Sequence, residues 1–459
     1  MPPKPLTTDK LSFVVPMMTG SLWQAVGAGM GAMIGAGIFV GLGIAAEEVD
    51  RHLLESLLLA ALVALGSGLS RSQLVSYHRQ VYTPITQGKS PHSDVYGYSE
   101  GLLNSWLGFA AAWSLALALA ATAATAAIGA SGYLFVLLPV DLVWQIPIAL
   151  LIVFSLAALL WRGLRPLQQF KRISTAIGVL TLLFFTIAGL RSVGIEGVES
   201  TFPVEESGVG ASSAVGLVQV FRATSLLVVA FAGYGQIARL AQTPQTPRWS
   251  VGKASGWTLI MVLLLYGGVA IAAVAAIGTV GLRDAVEAYG APLAIAARTF
   301  TIPGSLAIVA VGASLTLLGT VSYLLVELVR VLWMMGQRRD LPRSLAQINS
   351  VRAFPPFAVL WAGGSIAFIV LSSDLQSIWN FAAFGFLLHT AITNLAMAQL
   401  PAGAHRYLRW FALISVALCI FLIFWLDWRV WLLGAGLVVV GLVWRGINLW
   451  VIEQSDESG

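Results

Sequence analysis

The sequence is poor in charge and in cysteine. Lys, Arg, Asp and Glu make up 10% of its 459 residues and hydrophobic residues 58%, whereas about 25% of the residues in a soluble domain are charged. This composition excludes an ordinary soluble protein and predicts a chain that crosses a membrane many times. Cys419 is the one cysteine, so an intrachain disulfide is excluded as well.

Residue clusters typical of catalysis, metal binding or nucleic-acid binding are also missing. The five histidines are scattered, without the spacing of a metal-ligand set. No nucleophile is accompanied by a base and no carboxylate pair lies within a span, so the sequence argues against an enzyme and predicts no cofactor. Blocks of Lys and Arg with interleaved aromatic residues are absent, which argues against a nucleic-acid partner.

Long apolar runs fill most of the chain. A transmembrane helix needs about 20 predominantly apolar residues, and a window of that length finds roughly twelve such spans. The first is too long for a signal-peptide core and lacks a small-residue cleavage site, so we expect it to be retained. We therefore predict an all-α polytopic membrane protein embedded in the lipid bilayer. The span centres lie near Gly35, Ala61, Leu117, Ile152, Leu182, Val228, Val269, Leu317, Phe368, Phe386, Ser415 and Val438.

The positive charges predict the orientation of these spans. If the N-terminus lies inside, most Lys and Arg residues, Lys171 among them, fall in inner segments. Cytoplasmic loops of membrane proteins carry an excess of Lys and Arg. We therefore predict that both termini are cytoplasmic and that the protein lies in a plasma (inner) membrane. The outer segments hold only Arg51, Arg191, Arg222, Arg283, Arg298 and Arg429.

Glycines interrupt the first and the sixth span near mid-membrane. The run Gly31–Val40 reads GAMIGAGIFV, with Gly35 and Gly37 at its centre, and Val228–Gly235 reads VVAFAGYG. Irregular backbone at this depth persists only where it is buried in protein or lines a wet cavity. Both breaks therefore predict a binding site. Alternatively, the glycines only let helices pack closely.

The two interrupted spans lie five spans apart, which predicts an internal repeat. An odd repeat length gives the two copies opposite orientations in the membrane, as in the inverted repeats of many secondary transporters. The predicted halves are residues 21–191 and 214–400, joined by an outer loop at 192–213. Two further spans occupy 401–449, and the predicted cytoplasmic tails are 1–20 and 450–459.

Three motifs resemble those of the amino acid–polyamine–organocation (APC) family of permeases. The first span matches the family pattern G-x-x-I-G-x-G-I-F at Gly31–Phe39, and the sixth resembles F-A-x-G-Y at Phe231–Tyr234. The eighth resembles R-x-L-x-x-M-x-R-D-G-x-L-P at Arg330–Pro342, without the glycine after the aspartate. The resemblance covers about residues 21–400. It implies a LeuT-type fold with a five-plus-five inverted repeat, and transport of an amino acid or related organic amine by alternating access.

Helix ends at the breaks predict how such a substrate is held. N–H groups at the start of a helix attract an anion, and carbonyl groups at a helix end attract a cation. The amides of Gly35–Ile38 would hold the substrate carboxylate, whereas carbonyls near Ile34 and along Ala230–Gly233 would hold its amino group. Phe231 and Tyr234 would form an aromatic wall or only pack within the span. The predicted substrate-binding residues are Ile34, Gly35, Ala36, Gly37, Ile38, Ala230, Phe231, Ala232, Gly233 and Tyr234.

The coupling ion is open between sodium and a proton. A sodium site between the first and eighth spans would need carbonyls near Ile34 and Gly37 plus the hydroxyls of Thr320 and Ser322. Hydroxyls in membrane helices more often bond to a carbonyl of their own helix, which is the alternative. Some proton-driven members of the APC family, which this chain resembles, carry a lysine in the fifth span, where this chain has Gly178. The resemblance therefore does not support proton coupling by that lysine.

Four ionisable side chains lie within spans, where charge is costly and commonly functional. Glu327 and Arg330, three residues apart on one helix face, would form an ion pair, or Glu327 would relay protons. Arg222 would face an outer vestibule and attract anions, or extend to the outer interface. His389 would titrate during transport or form a structural hydrogen bond.

Two functions stay open at this level. The first is a secondary active permease for an amino acid or amine, where Ala36 and Ala232 beside the breaks favour a neutral substrate side chain. The second is a non-transporting sensor or scaffold that keeps the permease fold. Two departures from the family motivate it: the loop Pro91–Tyr96 lacks two glycines, and Gln242 and Thr243 replace an acidic pair.

Overall fold

The structure, a computed structural model, describes residues 22–49, 52–81, 102–138, 141–163, 167–201, 212–233, 237, 250–348, 355–372, 374–400 and 406–457. Within these ranges the regular elements are helices, without strands, as predicted for an all-α protein. The α-helices are α1 (Leu22–Met33), α2 (Leu42–Glu48), α3 (Leu53–Val81), α4 (Ser105–Phe135), α5 (Gln145–Trp161), α6 (Leu167–Thr201), α7 (Ser212–Leu227), α8 (Ser250–Tyr289), α9 (Pro292–Ala297), α10 (Ser305–Gln337), α11 (Pro356–Ser372), α12 (Leu375–Ala398), α13 (Arg406–Ile423) and α14 (Trp428–Glu457).

Eight described helices are long and apolar enough to cross a membrane, and α1 together with Gly37–Glu48 gives a ninth span if this bent pair is counted once. Three shorter apolar helices lie at Gly216–Phe231, Pro356–Ser372 and Arg409–Ile423. The predicted span centres fall in helices, except Gly35, which lies in the bend. A multi-pass membrane protein is thus confirmed. The number of about twelve spans and the inverted repeat stay predictions.

Side-chain caps and one glycine set the ends of several helices. The Asn104 side chain accepts a hydrogen bond from the Leu107 N–H (2.7 Å) before α4, and Asp374 accepts one from the Ser377 N–H (3.0 Å) before α12. Such caps satisfy N–H groups that have no partner within the helix. α8 is kinked at Gly278, whose φ of +71° and ψ of 174° are essentially confined to glycine. The kink gives the last turns of α8 a separate direction.

α4, α10 and α12 form the centre of the molecule. The buried share of their apolar stretches is 67%, 72% and 89%, against 17% for α14. α4 is rich in alanine, and small side chains let helices approach closely where lipid gives no hydrophobic drive to association. The first span packs on this centre, since Gly35 faces Thr320 of α10 and Gly41 faces Trp379 of α12.

The last turns of α8 cover the end of the first span that is predicted to face outward. A Cβ added to Gly43 would lie 2.6 Å from Val286, and one added to Gly132 of α4 would lie 1.8 Å from the Tyr289 carbonyl oxygen. Gln145 Nε2 donates to the same carbonyl at 2.9 Å. The kinked segment is therefore fixed against α2, α4 and α5.

A buried ion pair ties α14 to the rest of the molecule. Arg445 Nε lies 2.8 Å from Asp340 Oδ1, with the two side chains 6% and 4% exposed. Arg445 Nη1 also donates to the Ser105 carbonyl oxygen, and its guanidinium lies 5.1 Å from the centre of the Trp106 ring. α14 continues to Glu457, past residue 450, where the predicted tail begins. α14, which lies after the predicted repeat, is thus attached to the rest of the molecule by an ion pair as well as by apolar contacts.

Candidate functional site

The first span is broken where its glycines predict. α1 ends at Met33 and a π-helical turn begins at Gly37, with a bend of 47° between the two halves. A hydrogen bond from the Phe39 N–H to the Gly35 carbonyl (3.2 Å) bridges the bend. π-helical turns in α-helices are frequent at functional sites. The geometry therefore agrees with a break and not with a continuous helix.

The sixth span changes its helix type at the predicted position. α7 ends at Leu227, a 3-10 turn covers Val228–Phe231, and a turn at Ala232–Gly233 ends this described range. Tyr234, the last of the predicted substrate-binding residues, lies outside the described residues. The same holds for Pro91–Tyr96, Gln242 and Thr243.

The two breaks touch each other through glycine. A Cβ added to Gly37 would lie 2.5 Å from the Cα of Ala230, and one added to Gly233 would lie 2.6 Å from backbone atoms of Ala32 and Met33. A side chain at either position would require the backbone of the other span to move. The glycines therefore provide the close packing considered as the alternative, and they do so at the breaks themselves.

Tyr266 of α8 contacts the backbone of the broken first span and of the 3-10 turn in the sixth span. Its hydroxyl donates to the Met33 carbonyl oxygen at 2.8 Å and lies 3.4 Å from the Ala230 carbonyl oxygen. The fully buried ring lies 5.5 Å from the ring of Phe231, centre to centre. Tyr266 is not among the predicted site residues. The sequence gives one indication of its role, which is the presence of a tyrosine within the apolar seventh span.

Tyr133 of α4 has the same role on the outer half of the first span. Its hydroxyl donates to the Phe39 carbonyl oxygen at 2.7 Å and accepts a hydrogen bond from the Leu293 N–H at 3.3 Å. It thereby links the π-helical turn to α9. This residue was also missed, because a tyrosine near the end of an apolar run more often lies at the membrane interface.

The predicted substrate-binding residues are uncharged, and all those that the structure describes are buried except Ala232, which is half-buried. Ile34 and Phe231 are fully buried, and Ala36, Ile38 and Ala230 are at most 2% exposed. Polar ligand groups in such surroundings need hydrogen-bond partners, because an unpaired polar group in an apolar interior is unfavourable. The arrangement can hold a small ligand whose charged ends meet backbone groups and whose remaining surface is apolar.

The two hydroxyls considered for a sodium site bond within their own helix. Thr320 Oγ1 donates to the Thr316 carbonyl (2.9 Å), and Ser322 Oγ donates to the Gly319 carbonyl (2.8 Å). This is the arrangement considered as the alternative. Thr320 also faces the first break, since a Cβ added to Gly35 would lie 2.6 Å from its Oγ1. Both hydroxyl hydrogens are used, while the oxygens keep lone pairs that can accept.

Lys171 of α6 reaches the same threonine. Its Nζ lies 3.4 Å from Thr320 Oγ1 and 5.5 Å from the centre of the Tyr323 ring. This residue was counted with the inner segments, and its contact with α10 was not predicted. Gly178 lies two helical turns further along α6, and a Cβ there would lie 2.7 Å from Thr316. Residues seven apart share a helix face, so Lys171 lies on the same face of α6 as Gly178.

The four ionisable residues predicted to lie within spans each have a polar partner in the structure. Arg330 Nη1 donates to Glu327 Oε1 at 3.0 Å, and both side chains are largely buried. Arg222 pairs with Glu48 Oε2 at 3.1 Å, at the end of α2. His389 is fully buried, with Nδ1 2.9 Å from a carbonyl oxygen of α4. The expected Glu327–Arg330 pair is present, whereas a part in transport stays a prediction for these residues.

Comparison with known proteins finds relatives along nearly the whole chain. Residues 21–451 match a family described as amino acid permease. A Mycobacterium tuberculosis protein named an uncharacterized transporter is 28% identical over 95% of this chain and 92% of its own length. The branched-chain amino acid permease BcaP of Bacillus subtilis is 24% identical over 91% of each chain. The vacuolar cationic amino acid transporter 2 of Arabidopsis thaliana is 25% identical over 82% of this chain and 58% of its own length.

Proposed function

Because the chain belongs to the amino acid permease family of the APC superfamily, and is therefore a transporter, we propose that it is a secondary active transporter. It moves an amino acid or a related organic amine across a plasma membrane by alternating access. About twelve spans would form a LeuT-type arrangement of two inverted five-helix repeats, followed by two further helices. Both termini would lie in the cytoplasm.

The contact between the two broken helices carries this proposal. The outer half of the first span begins at Gly37, where helix-start amides attract a carboxylate. Its inner half ends at Met33, and the carbonyl groups around that end attract an ammonium group. Broken helices near the bilayer midplane form the substrate sites of many secondary transporters. The two ends of an amino acid fit the two kinds of helix end.

A neutral aliphatic amino acid is the substrate that we propose. The described residues at the two breaks are apolar and, apart from the half-buried Ala232, buried. Lys171, when protonated, would repel a cationic side chain near Thr320. Among the relatives, the Bacillus protein is named for branched-chain amino acids and the plant protein for cationic ones. L-leucine and L-arginine are therefore the two compounds to compare. We expect L-leucine to bind and L-arginine to compete poorly.

The surroundings of Thr320 support transport that does not need sodium. A sodium ion bound to this hydroxyl would lie close to Lys171 Nζ, which is 3.4 Å from Thr320 Oγ1. The protonated lysine and the sodium ion would repel each other at such a distance. We expect L-leucine uptake to be unchanged when choline replaces sodium. Uptake that stops without sodium would refute this part of the proposal.

Uptake of radiolabelled L-leucine into proteoliposomes tests the site. Two substitutions in the same broken span form a matched pair, because Gly37→Ala places a methyl group 2.5 Å from the Cα of Ala230 and Gly27→Ala meets nothing within 4 Å. We expect Gly37→Ala to lose most of the uptake and Gly27→Ala to retain it, with both proteins monodisperse in detergent. Equal uptake by the two variants would refute a site at the breaks.

The same preparation separates transport from the sensor or scaffold alternative. A transporter binds L-leucine in detergent and accumulates it in proteoliposomes against an imposed gradient. A sensor would bind L-leucine without accumulating it. Binding without uptake under both sodium and proton gradients would therefore replace the proposed transport with the alternative.

A further inference from the structure

Thr125 of α4 differs from the hydroxyl-bearing residues around it. Its side chain is fully buried, and its Oγ1 has no hydrogen-bond partner in the described part of the chain. Other hydroxyls of α4 bond to carbonyl groups three or four residues back, as Thr122 does to Ala118 and Ser131 to Ile128, each at 2.8 Å. Buried polar groups almost always have partners, so this exception needs an explanation.

The contact between α4 and the first span places Thr125 at the depth of the break. A Cβ added to Gly129 would lie 2.6 Å from Val40 Cγ2. Both segments run from the predicted inner side to the outer side, and Thr125 and Ala36 each lie four residues before the contacting pair. Four residues are about one helical turn. Thr125 is therefore level with Ala36.

The contact between α4 and α10, which also involves Gly129, gives the same depth. A Cβ added to Gly129 would also lie 3.3 Å from Leu317 Cδ1. α10 runs in the opposite direction, so the next turn inward along it contains Thr320, which faces Gly35 at the break. Thr125 is the next turn inward along α4. It thus lies on the face of α4 that meets both the first span and α10.

We propose that Thr125 is a substrate-binding residue whose hydroxyl donates a hydrogen bond to the carboxylate of an amino acid held at the first break. The inference rests on the proposed function. A carboxylate offers about four lone-pair directions, and hydrogen bonds to an ionised acceptor are stronger than those between neutral groups. The hydroxyl is an additional donor at this depth, and within the described part of the chain it has no bond to give up when the substrate binds.

Binding of radiolabelled L-leucine to the purified full-length protein in detergent tests this assignment. Thr125→Val removes the hydroxyl and keeps the shape of the side chain, whereas Thr122→Val removes a hydroxyl that bonds within the same helix. We expect Thr125→Val to weaken L-leucine binding about tenfold, the effect of losing one bond to a charged group. Thr125→Ser should bind nearly as the wild type does, and so should Thr122→Val.

Competition by L-leucinamide identifies the group that the hydroxyl contacts. This compound has a neutral amide in place of the carboxylate, so Thr125→Val should weaken its binding less than that of L-leucine. An equal loss for both compounds would overturn the carboxylate assignment. Binding of L-leucine by Thr125→Val within about twofold of the wild type would overturn any contact between this hydroxyl and the substrate.

Thermal unfolding without substrate separates binding from a role in the fold. Valine removes an unpaired polar group from an apolar interior, so Thr125→Val should unfold at the same temperature as the wild type or at a higher one. A lower unfolding temperature together with weaker binding would place the effect in the fold and overturn the inference. A wild-type protein that binds no L-leucine would refute the proposed substrate, and the assignment of Thr125 with it.

Discussion

Tyr266→Phe should weaken the junction of the two broken spans while leaving its apolar packing in place. The substitution removes one oxygen from a buried ring that packs against Phe231. The Met33 carbonyl loses its donor at 2.8 Å, and the 3.4 Å contact to the Ala230 carbonyl is lost as well. One hydroxyl hydrogen makes only the shorter bond at full strength. We expect a loss of about 1–2 kcal/mol in the free energy of unfolding, since an unpaired buried carbonyl costs about 1–3 kcal/mol and interhelical bonds in membranes average about 0.6 kcal/mol.

Two assays measure the effect of Tyr266→Phe, one on the stability of the fold and one on substrate binding. Equilibrium unfolding in mixed detergent micelles measures the loss of stability. Binding of radiolabelled L-leucine should weaken at the same time, because the Met33 carbonyl lies at the helix end that is proposed to face the substrate ammonium group. We expect removal of the hydroxyl to change the orientation of this helix end, while the apolar contacts of the ring stay in place.

Tyr133→Phe is the matched control, because it also removes a hydroxyl from a fully buried ring. That hydroxyl contacts the Phe39 carbonyl and the Leu293 N–H, so stability should fall by a similar or larger amount with a smaller effect on L-leucine binding. The reasoning is refuted if Tyr266→Phe matches the wild type in both assays. It is also refuted if both variants weaken binding equally, since the effect would then follow from general loosening.

Three further substitutions test other contacts. Arg445→Gln removes the guanidinium that pairs with Asp340, and the free energy of unfolding, measured by denaturant titration, should fall by about 3–5 kcal/mol. Adding Asp340→Asn removes the unpaired carboxylate and should recover part of this stability. Lys171→Gln removes the amine beside Thr320 and should strengthen L-arginine binding relative to L-leucine in competition assays; an unchanged ratio would contradict the proposed repulsion. Glu327→Gln should retain L-leucine binding if the pair with Arg330 is structural, whereas a folded protein without binding would place Glu327 in transport.

The positions of the helix breaks could be predicted from the sequence because their cause is local. Glycines within an apolar run weaken the helix at that point, and lipid tolerates the irregular backbone only in a protein-buried site. Gly35 and Gly37 therefore predicted the bend of the first span, which measures 47°. The change of helix type at Val228–Phe231 followed from the same pattern.

The partners of the broken backbone could not be predicted in this way, because they come from distant parts of the chain. Tyr266 lies 233 residues from Met33, and Lys171 lies 149 residues from Thr320. Hydropathy assigns all of these residues to spans or span ends without indicating which faces meet. Lys171 was accordingly placed with the inner segments, and its approach to α10 depends on how α6 and α10 pack.

The hydroxyl groups near a helix break are the candidate hydrogen-bond partners of its free carbonyl groups. A carbonyl group released by a helix break in the membrane must find a hydrogen-bond donor within the protein. Tyr266 and Tyr133 donate to carbonyl groups of the broken first span, whereas Thr320 and Ser322 donate within their own helix. Thr125, by contrast, is buried at the depth of the break, and its hydroxyl has no partner among the residues that the structure describes. A hydroxyl that donates neither to its own helix nor to the broken backbone is free to donate to a ligand. Replacement of Thr125 should therefore weaken ligand binding and leave the fold intact.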